Sequence, residues 1–453
     1  MRKNLLYVGT LLYAGCFIAS CSNEDEAFAN VPVENNSVTI RAGITEDSAT
    51  RIALGESSNG KTKVLWSAGD AFSLVKNQKN YIFCRSANDI EEKTVADFIY
   101  TGTESLPDIS TLASYDYFWY PSIREVDYVF QTGKKEDISN YMNMRASIPE
   151  GSSWENMNLS FKHLDAIIQI SLTEETFKNK DIVVKLHAQG LIESGLPTIT
   201  SKELTANTNG TVTAYFVIPA TSSRTLSNCC IYADCGGKRY KTTLTNKTIE
   251  KGKLYKVSKN DLIETNEKIQ CKLPAGDSFR STIASKIKSN YNIKKIKFIA
   301  NSSKSGSSFC TDNTSWAEIV INGEYLEIHT TAEEFVANSY CAYMFSGSPN
   351  YSSGALKCLT EIDFNNCFNT ENVTNMSGMF YFSRNLTMLD LSCFSFNANP
   401  TVSAMFNGIA DDITEKPIPI CVDESGYIYF TQTTTDCCIY NSAKFVKSDG
   451  TDW

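Results

Sequence analysis

Short segments in which apolar and polar residues alternate fill most of this 453-residue chain, and they leave few folds open to it. Gly, Asn, Asp and Ser, which favour turns, separate the segments. Because successive side chains of a strand point to opposite faces, the pattern predicts antiparallel strands with one buried face. Clear examples are residues 38–42, 71–75, 166–172, 182–186 and 213–219. We therefore predict a mainly β fold built largely from β-sandwiches.

The charge balance restricts the partners of the chain. The formal net charge is −9 and the pI is about 5.1. Binding to nucleic acid or to anionic lipid requires clustered Lys and Arg, so we expect no nucleic-acid partner. An aromatic content of 11% favours strands further.

The first residues have the layout of a secretory signal. Arg2 and Lys3 precede an apolar segment at 5–19, which is too short to span a membrane. The segment ends in Ile18-Ala19-Ser20-Cys21, which resembles a bacterial lipobox. The resemblance implies that residues 1–20 are removed and that acyl chains on Cys21 anchor the protein to a membrane. The alternative is a plain secretory signal with an incidental cysteine.

A short acidic cluster at 22–26 follows Cys21 within a predicted linker, residues 21–36. In Bacteroides-type lipoproteins a similar cluster directs display on the outer face of the outer membrane. The resemblance implies that this chain lies in the outer membrane and faces the cell exterior. The alternative is a solvated spacer between the membrane and the folded part.

The cysteines leave two interpretations open. Apart from Cys16 in the signal and Cys21, thirteen of the fifteen cysteines remain, scattered along the chain. Exported chains often pair their cysteines, but buried thiols also pack as small apolar groups. The cluster at 229–235 lacks the spacing and the nearby histidine of a zinc site. We predict no metal and no cofactor.

Five segments occur in the order in which they mark fimbrillin-like proteins, at 49–54, 64–70, 117–121, 159–166 and 251–257. Over residues 37–262 the chain resembles that family. The resemblance implies two successive Greek-key β-sandwiches, at 37–157 and 158–262. It also implies a relation to pilins, to pilus anchor and tip subunits and to surface adhesins, some of which assemble with other fimbrial subunits by strand exchange.

The last third of the chain repeats itself. Short predicted strands at 326–328, 362–364 and 389–391 are each followed by a Met-Phe pair, and the phenylalanines Phe345, Phe380 and Phe406 are 35 and 26 residues apart. A repeated strand and turn of this length predicts a solenoid. The middle unit, 368–380, resembles the signature of BspA-like leucine-rich-repeat surface proteins. That resemblance implies a short leucine-rich-repeat-like domain at 268–453, with a face that binds ligands.

The segment 55–62, Gly-Glu-Ser-Ser-Asn-Gly-Lys-Thr, matches the phosphate-binding loop pattern. Such a loop needs a helix directly after the Lys-Thr pair, so that free backbone N–H groups meet the phosphates. After Thr62, Val64-Leu65-Trp66 has the pattern of a strand, and the Gly69-Asp70 pair predicts a turn that follows it. We therefore predict a hairpin without nucleotide binding.

Six residues at 115–120 form an aromatic-rich segment. If it is a strand, alternate rings enter a core and the others point outward. Tyr117 and Trp119 share one face, so they are candidates for a ligand-binding surface such as a glycan platform. The alternative is that the cluster serves packing alone.

The sequence offers no recognisable catalytic centre. The three histidines are far apart, and no hydrolase motif accompanies them. Ser48 lies in Asp47-Ser48-Ala49, which resembles the O-glycosylation sequon of Bacteroides-type exported proteins. We predict a non-enzymatic surface lipoprotein that acts as an adhesin for a host or bacterial surface protein or glycan. The alternative is an accessory, anchor or tip subunit of a fimbria.

Overall fold

The computed structural model divides the chain into two compact units, Met1–Val38 and Thr39–Trp453. The described residues are 38–44, 57–58, 61–62, 65–91, 93–112, 116–120, 128–138, 141–191, 198–220, 222–287, 292–304, 309–310, 316–350, 355–414, 417–432, 437 and 443–453. Strands dominate among them, which confirms the mainly β prediction. No helix in this part of the chain is long and apolar enough to cross a membrane.

Ten strands precede residue 164. They are β1 (Thr39–Ile44), β2 (Ser57–Ser58), β3 (Lys61–Thr62), β4 (Ala71–Lys76), β5 (Lys79–Cys84), β6 (Val95–Tyr100), β7 (Tyr117–Tyr120), β8 (Phe130–Gln131), β9 (Met144–Ser147) and β10 (Asn158–His163). Seven of them pair in a closed ring, in the order β1-β10-β9-β7-β4-β5-β6. We call this ring, with the β2–β3 hairpin, the barrel module.

The closed ring differs from the Greek-key β-sandwich that we expected for the first module. Strand β1 pairs antiparallel with β6 and parallel with β10, where Arg41 lies opposite Asn158. These two pairings join the first strand to both neighbours and leave no edge in the ring. Closure therefore depends on contacts between segments that are distant in sequence.

Trp66 is at the centre of the barrel module and is fully buried. Its ring packs edge-on against Phe98, Tyr120 and Phe161, and its indole N–H donates to the carbonyl of Ala42 at 3.0 Å. The indole thereby connects β1 to the core while its polar group stays satisfied.

A tight turn follows Trp66, as the Gly-Asp pair predicted. The carboxylate of Asp70 accepts a hydrogen bond from the Ser67 N–H at 2.5 Å, and Gly69 has a φ of 77°, which favours glycine. Strands β2 and β3 also pair antiparallel, with Ser57 opposite Thr62, which agrees with a hairpin at 55–62.

The burial of Asp70 gives a prediction about pH. Burial raises the pKa of this carboxyl from 3.8 to about 6, despite hydrogen bonds from Ser67 and Tyr120 that favour the charged form. Between these two values the folded chain binds the proton more tightly than the unfolded chain. The free energy of unfolding of the barrel module should therefore fall as the pH rises through this window.

Thermal unfolding at about pH 3.5 and about pH 7 tests this pH dependence, because the window from 3.8 to about 6 lies between the two conditions. The Asp70→Asn variant, which cannot titrate, should show a smaller difference between the two midpoints than the parent chain. Asp97→Asn, at an exposed carboxyl, is the matched control and should leave the difference unchanged. An equal difference in parent and Asp70→Asn would contradict the prediction.

Nine strands form the next module. They are β11 (Asp165–Thr173), β12 (Asp181–Gln189), β13 (Thr198–Thr205), β14 (Thr211–Pro219), β15 (Arg224–Cys235), β16 (Lys238–Thr243), β17 (Lys247–Ile249), β18 (Leu254–Lys259) and β19 (Ile263–Thr265). One sheet has the order β14-β11-β18 and the other β19-β16-β15-β12-β13-β8. Their apolar faces share one core, so we call this the two-sheet module.

Sheet pairing crosses the predicted boundary between residues 157 and 158 in both directions. Strand β10 lies after that boundary but pairs within the barrel, whereas β8 lies before it and pairs parallel with β13. The buried Gln131 side chain adds to the second connection by exchanging two hydrogen bonds with the backbone of Val217, both 2.8 Å. Each of the two modules therefore contains a strand from the other side of the predicted boundary.

The last module contains eleven short strands and two helices. The strands are β20 (Gln270–Lys272), β21 (Lys295–Ile299), β22 (Phe309–Cys310), β23 (Trp316–Asn322), β24 (Tyr325–His329), β25 (Glu334–Val336), β26 (Glu361–Asp363), β27 (Phe368–Asn369), β28 (Leu389–Asp390), β29 (Ile418–Cys421) and β30 (Ala443–Val446); the helices are α1 (Gly276–Lys286) and α2 (Glu424–Gln432). Most strand pairs are parallel, as in stacked repeat units, each of which we call a coil. We call this the repeat module.

The predicted repeat units stack on one another. Phe380 lies between Phe345 and Phe406, with ring centroids 5.8 and 6.0 Å apart and planes within 11°. Parallel bridges join Tyr340 to Asn375 and Asn375 to Thr401, with the same spacings of 35 and 26 residues. The Met-Phe pairs are therefore equivalent positions in consecutive coils.

Eleven cysteines whose side chains the structure describes are free thiols. Six of these eleven cysteines are buried, among them Cys271, Cys341 and Cys367 in the core of the repeat module. In this part of the chain the thiols pack as small apolar groups.

Candidate functional site

Two of the four predicted site residues have a described environment. Cys21 and Ser48 lie outside the described residues, so the lipidation and the O-glycosylation stay predictions. Tyr117 and Trp119 lie on β7, in the wall of the barrel module.

Strand β7 alternates as predicted. Phe118 and Tyr120 point into the barrel and are buried, whereas Trp119 is 37% exposed. Pairing places Trp119 between Ser73 on β4 and Arg145 on β9. An exposed tryptophan in the middle of a closed sheet is held rigidly by its neighbours, which lowers the entropy lost when it contacts a ligand.

The two outward rings of β7 are not equivalent. The guanidinium of Arg145 lies 4.6 Å from the ring centre of Tyr117, a cation–π contact that covers one face of that ring. The rings of Tyr117 and Trp119 are 6.0 Å apart and inclined by 76°. They do not form one flat platform, and Trp119 is the more exposed of the two rings.

The second candidate for a ligand-binding surface is the outer face of the parallel strands in the repeat module. Lys295 pairs with Glu361 at 2.6 Å, and Lys297 pairs with Asp363 at 3.0 Å, between the neighbouring strands β21 and β26. These four side chains are about half exposed and balance one another's charge. Such pairs stabilise little at a surface and leave little net attraction for a charged ligand.

A partly buried chain of hydrogen bonds beside this face was missed by sequence reasoning. The Ser302 hydroxyl lies 2.9 Å from Nδ1 of His329, whose Nε2 lies 2.9 Å from the Glu327 carboxylate. A serine hydroxyl, a histidine and a carboxylate in this order resemble an activated serine. Here the Ser302 oxygen also accepts a hydrogen bond from the backbone N–H of Lys304, and Lys304 Nζ donates to Glu327. The chain therefore fastens the segment after β21 to β24.

An ionic cluster joins the two-sheet module to the repeat module, and it also had no sequence signal. Glu333, next to β25, accepts hydrogen bonds from Lys185 on β12 and from Arg239 on β16, one of the latter at 2.6 Å. Asp234 binds the other edge of the Arg239 guanidinium at 2.6 and 2.8 Å. The side chains are mostly buried, so this is an internal junction.

Two further contacts extend the junction. The Ile269 N–H donates to Glu333 at 3.0 Å, and Tyr232 of the two-sheet module lies in the hydrophobic core of the repeat module. Apolar and ionic contacts together hold the modules in one fixed arrangement.

Comparisons with known proteins found matches among solved structures. No family model and no curated protein matches the chain. Among solved structures, a putative cell adhesion protein from Bacteroides ovatus is 12% identical, with a TM-score of 0.34 over 51% of this chain and 95% of that one. The fimbrial anchor protein Mfa2 from Porphyromonas gingivalis is 9% identical, with a TM-score of 0.22 over 46% of this chain and 83% of that one.

A leucine-rich repeat protein from Bacteroides thetaiotaomicron is 12% identical, with a TM-score of 0.16 over 55% of this chain and 28% of that one. The class that the fold itself defines is a mainly β protein of several sheets.

Proposed function

We propose that this protein is a surface lipoprotein that binds other molecules without transforming them. Cys21 anchors it to the outer membrane, facing the cell exterior, and the β modules carry contact surfaces outward. It acts as an adhesin for a protein or a glycan of a host or bacterial surface. Its modules are of the fimbrillin-like type, followed by a short leucine-rich-repeat-like solenoid.

The single observation that carries this proposal is the exposed Trp119 on a closed barrel wall. Tryptophan is enriched among the residues that dominate binding energy at interfaces, and the Trp119 ring lies beside Tyr117 on this wall. The buried junction at Glu333 supports the proposal, because a rigid connection between modules keeps such surfaces in a defined position.

Cell adhesion tests the proposal and its anchor together. Bacteria that produce the full chain should adhere to surfaces coated with matrix glycoproteins, and the protein should fractionate with the outer membrane. Cys21→Ala should remove the acylated group, release the protein from the membrane and abolish adhesion by the cells. Cys16→Ala, inside the predicted signal, is the matched control and should change neither result.

The mature chain without lipid separates anchoring from binding. If it is purified and still binds the coated surface, the loss in Cys21→Ala cells reflects the missing anchor. Unchanged membrane fractionation of Cys21→Ala would refute the lipid anchor. Failure of the parent cells and of the purified chain to bind any coated protein or glycan would refute the adhesin.

A fimbrial subunit is the second candidate. In the described residues, β14 and β18 form the two edges of a three-stranded sheet, and such edges can receive a strand from another subunit. Ladders of the protein that resist SDS would favour this role, whereas an adhesin of the first kind would migrate as a monomer.

A further inference from the structure

The first and last strands of the barrel module are parallel neighbours. Strand β1 begins the module and β10 ends it, and they pair from Arg41 opposite Asn158 to Ile44 opposite Phe161. The backbone N–H of Arg41 donates to the carbonyl of Met157 at 3.2 Å. Because the two strands run in the same direction, the chain enters at one end of the pair and leaves at the other.

The two-sheet module repeats this arrangement. Its strand β11, which follows β10, pairs in parallel with β18, from Ile167 opposite Leu254 to Leu172 opposite Lys259. The Ile167 N–H donates to the carbonyl of Lys253 at 2.9 Å. After β18 this module contains only the three-residue strand β19 among the described residues. The chain therefore enters this module at one end of a parallel pair and leaves β18 at the other end.

The connection between the two pairs is short and held on both sides. Leu164 alone separates β10 from β11. Its N–H donates to the carbonyl of Asn143 at 2.9 Å, and its carbonyl accepts from the Ala220 N–H at 3.0 Å. The Asp165 carboxylate also accepts a hydrogen bond from the Asn143 N–H. A pull that leaves β10 is therefore passed directly to β11.

The direction of a load decides how two paired strands separate. A pull on the start of one strand and on the end of its parallel neighbour slides the strands past each other, so that all the hydrogen bonds between them resist together. A pull on the same end of both strands peels them apart, and the bonds then break one after another. Tension along the chain slides the strands in both modules, since the chain enters at β1 and β11 and leaves at β10 and β18.

Buried side chains add to the resistance against sliding. Ile40 on β1, Phe161 on β10 and Ile170 on β11 are fully buried. The Trp66 indole N–H also donates to the carbonyl of Ala42 on β1. A shift of one residue along a strand would move its buried side chains to the opposite face of the sheet. Sliding therefore disrupts the core together with the hydrogen bonds.

We propose that the β1–β10 and β11–β18 pairs are mechanical clamps, through which the chain carries tension between its membrane anchor and a bound partner. This inference rests on the proposed function, because the anchor and the partner supply the tension. A partner held by the repeat module would load both clamps, whereas a partner held at Trp119 would load the barrel module alone. The clamps keep the modules folded while flow pulls on an attached cell.

Force spectroscopy on single molecules tests the clamps by changing only the direction of the load. The chain from Ser22 to Trp453 is held at its first residue and at one click-reactive amino acid, which leaves the native cysteines unmodified. This handle replaces Asn260, directly after β18, to slide both pairs. In its place, a handle at Glu155 peels β10 from β1, and a handle at Lys251 peels β18 from β11. All three replaced side chains are exposed.

The barrel module should open at a severalfold lower force through Glu155 than through Asn260, because forced unfolding depends on the unfolding barrier along the direction of the pull. The two-sheet module should open at a severalfold lower force through Lys251 than through Asn260. Through Lys251 the barrel module should keep its high opening force, since β1 and β10 still slide. The length of chain released identifies which module has opened.

Equal midpoints of thermal unfolding in the three proteins show that the handles themselves do not destabilise the chain. Equal opening forces through Asn260 and Glu155 would overturn the first clamp, and equal forces through Asn260 and Lys251 would overturn the second. Cell adhesion by the parent chain would persist in both cases, so the proposed function would stand without the clamps. Cells that fail to adhere would refute the adhesin instead, and the two failures are distinguishable because the force measurement needs no partner.

Discussion

Replacing Phe380 with alanine should destabilise the repeat module by about 3–5 kcal/mol, the range for a fully buried phenylalanine. The ring is completely buried and stacks on Phe345 and Phe406 in the two neighbouring coils. Its removal leaves a cavity that both neighbours line and that a coil cannot close without breaking its backbone pairing. Stacked coils depend on their neighbours, so the loss should spread beyond the mutated unit.

Hydrogen exchange of the folded protein measures this effect, because it reports the local free energy of opening. Amides at 341–345 and 401–406 should exchange faster, while those of the barrel module keep their protection. Phe380→Leu, which fills part of the cavity, should cost less than Phe380→Ala. Met388→Ala, at an exposed side chain of the same module, is the control and should change stability by no more than about 0.5 kcal/mol. Unchanged protection in Phe380→Ala would contradict the stack.

Glu333→Gln should weaken the junction between the two-sheet and repeat modules by about 3–5 kcal/mol. The charged side chain neutralises Lys185 and Arg239 together with Asp234. Without it, two mostly buried cations share one carboxylate. Burial opposes the ionisation of Glu333, but hydrogen bonds from Arg239, Lys185 and the Ile269 N–H lower its pKa to about 2.

The pH dependence of this contribution has a definite sign. The folded pKa lies below the unfolded value of 4.5, so the stabilisation is complete above that value. It should be lost progressively as the pH falls from 4.5 towards 2. The parent chain should therefore lose this contribution in acid, and the stability of Glu333→Gln should fall less than that of the parent between these two pH values.

Calorimetry can detect the uncoupling of the modules. The parent chain should unfold the two modules in one transition, and Glu333→Gln should separate it into two. Proteolysis should also cut faster in the connection at 260–268. Glu264→Gln removes an exposed pair with Lys238 and is the matched control, with an expected loss of no more than about 1 kcal/mol. A single unshifted transition in Glu333→Gln would contradict a stabilising role of these ion pairs.

Local patterns in the sequence predicted much of the fold. Alternation predicted the strands, including the inward Phe118 and the outward Trp119. The spacing of the Met-Phe pairs predicted the stack, because equivalent positions of a coil recur at the repeat length. The Gly-Asp pair predicted the turn after Trp66. In each case the relevant contacts lie within a few residues or within one repeat.

The candidate sites were predicted only in part, since they join residues from separate segments. The sequence singled out Tyr117 and Trp119 but not the Arg145 guanidinium that covers Tyr117. It gave no sign of the hydrogen bonds that join Ser302, His329 and Glu327. Nor did it indicate the junction at Glu333, where charged groups from separate segments meet.

The sequence by itself determined the period of each element, since side-chain alternation and repeat length are properties of neighbouring residues. Only the tertiary structure decided which strands pair and which modules come into contact. The parallel pairing of β1 with β10 closes a barrel, and the ion pairs of Glu333 with Lys185 and Arg239 fix one module on another. Such contacts join groups that are far apart along the chain, and no local pattern records which partner each will find.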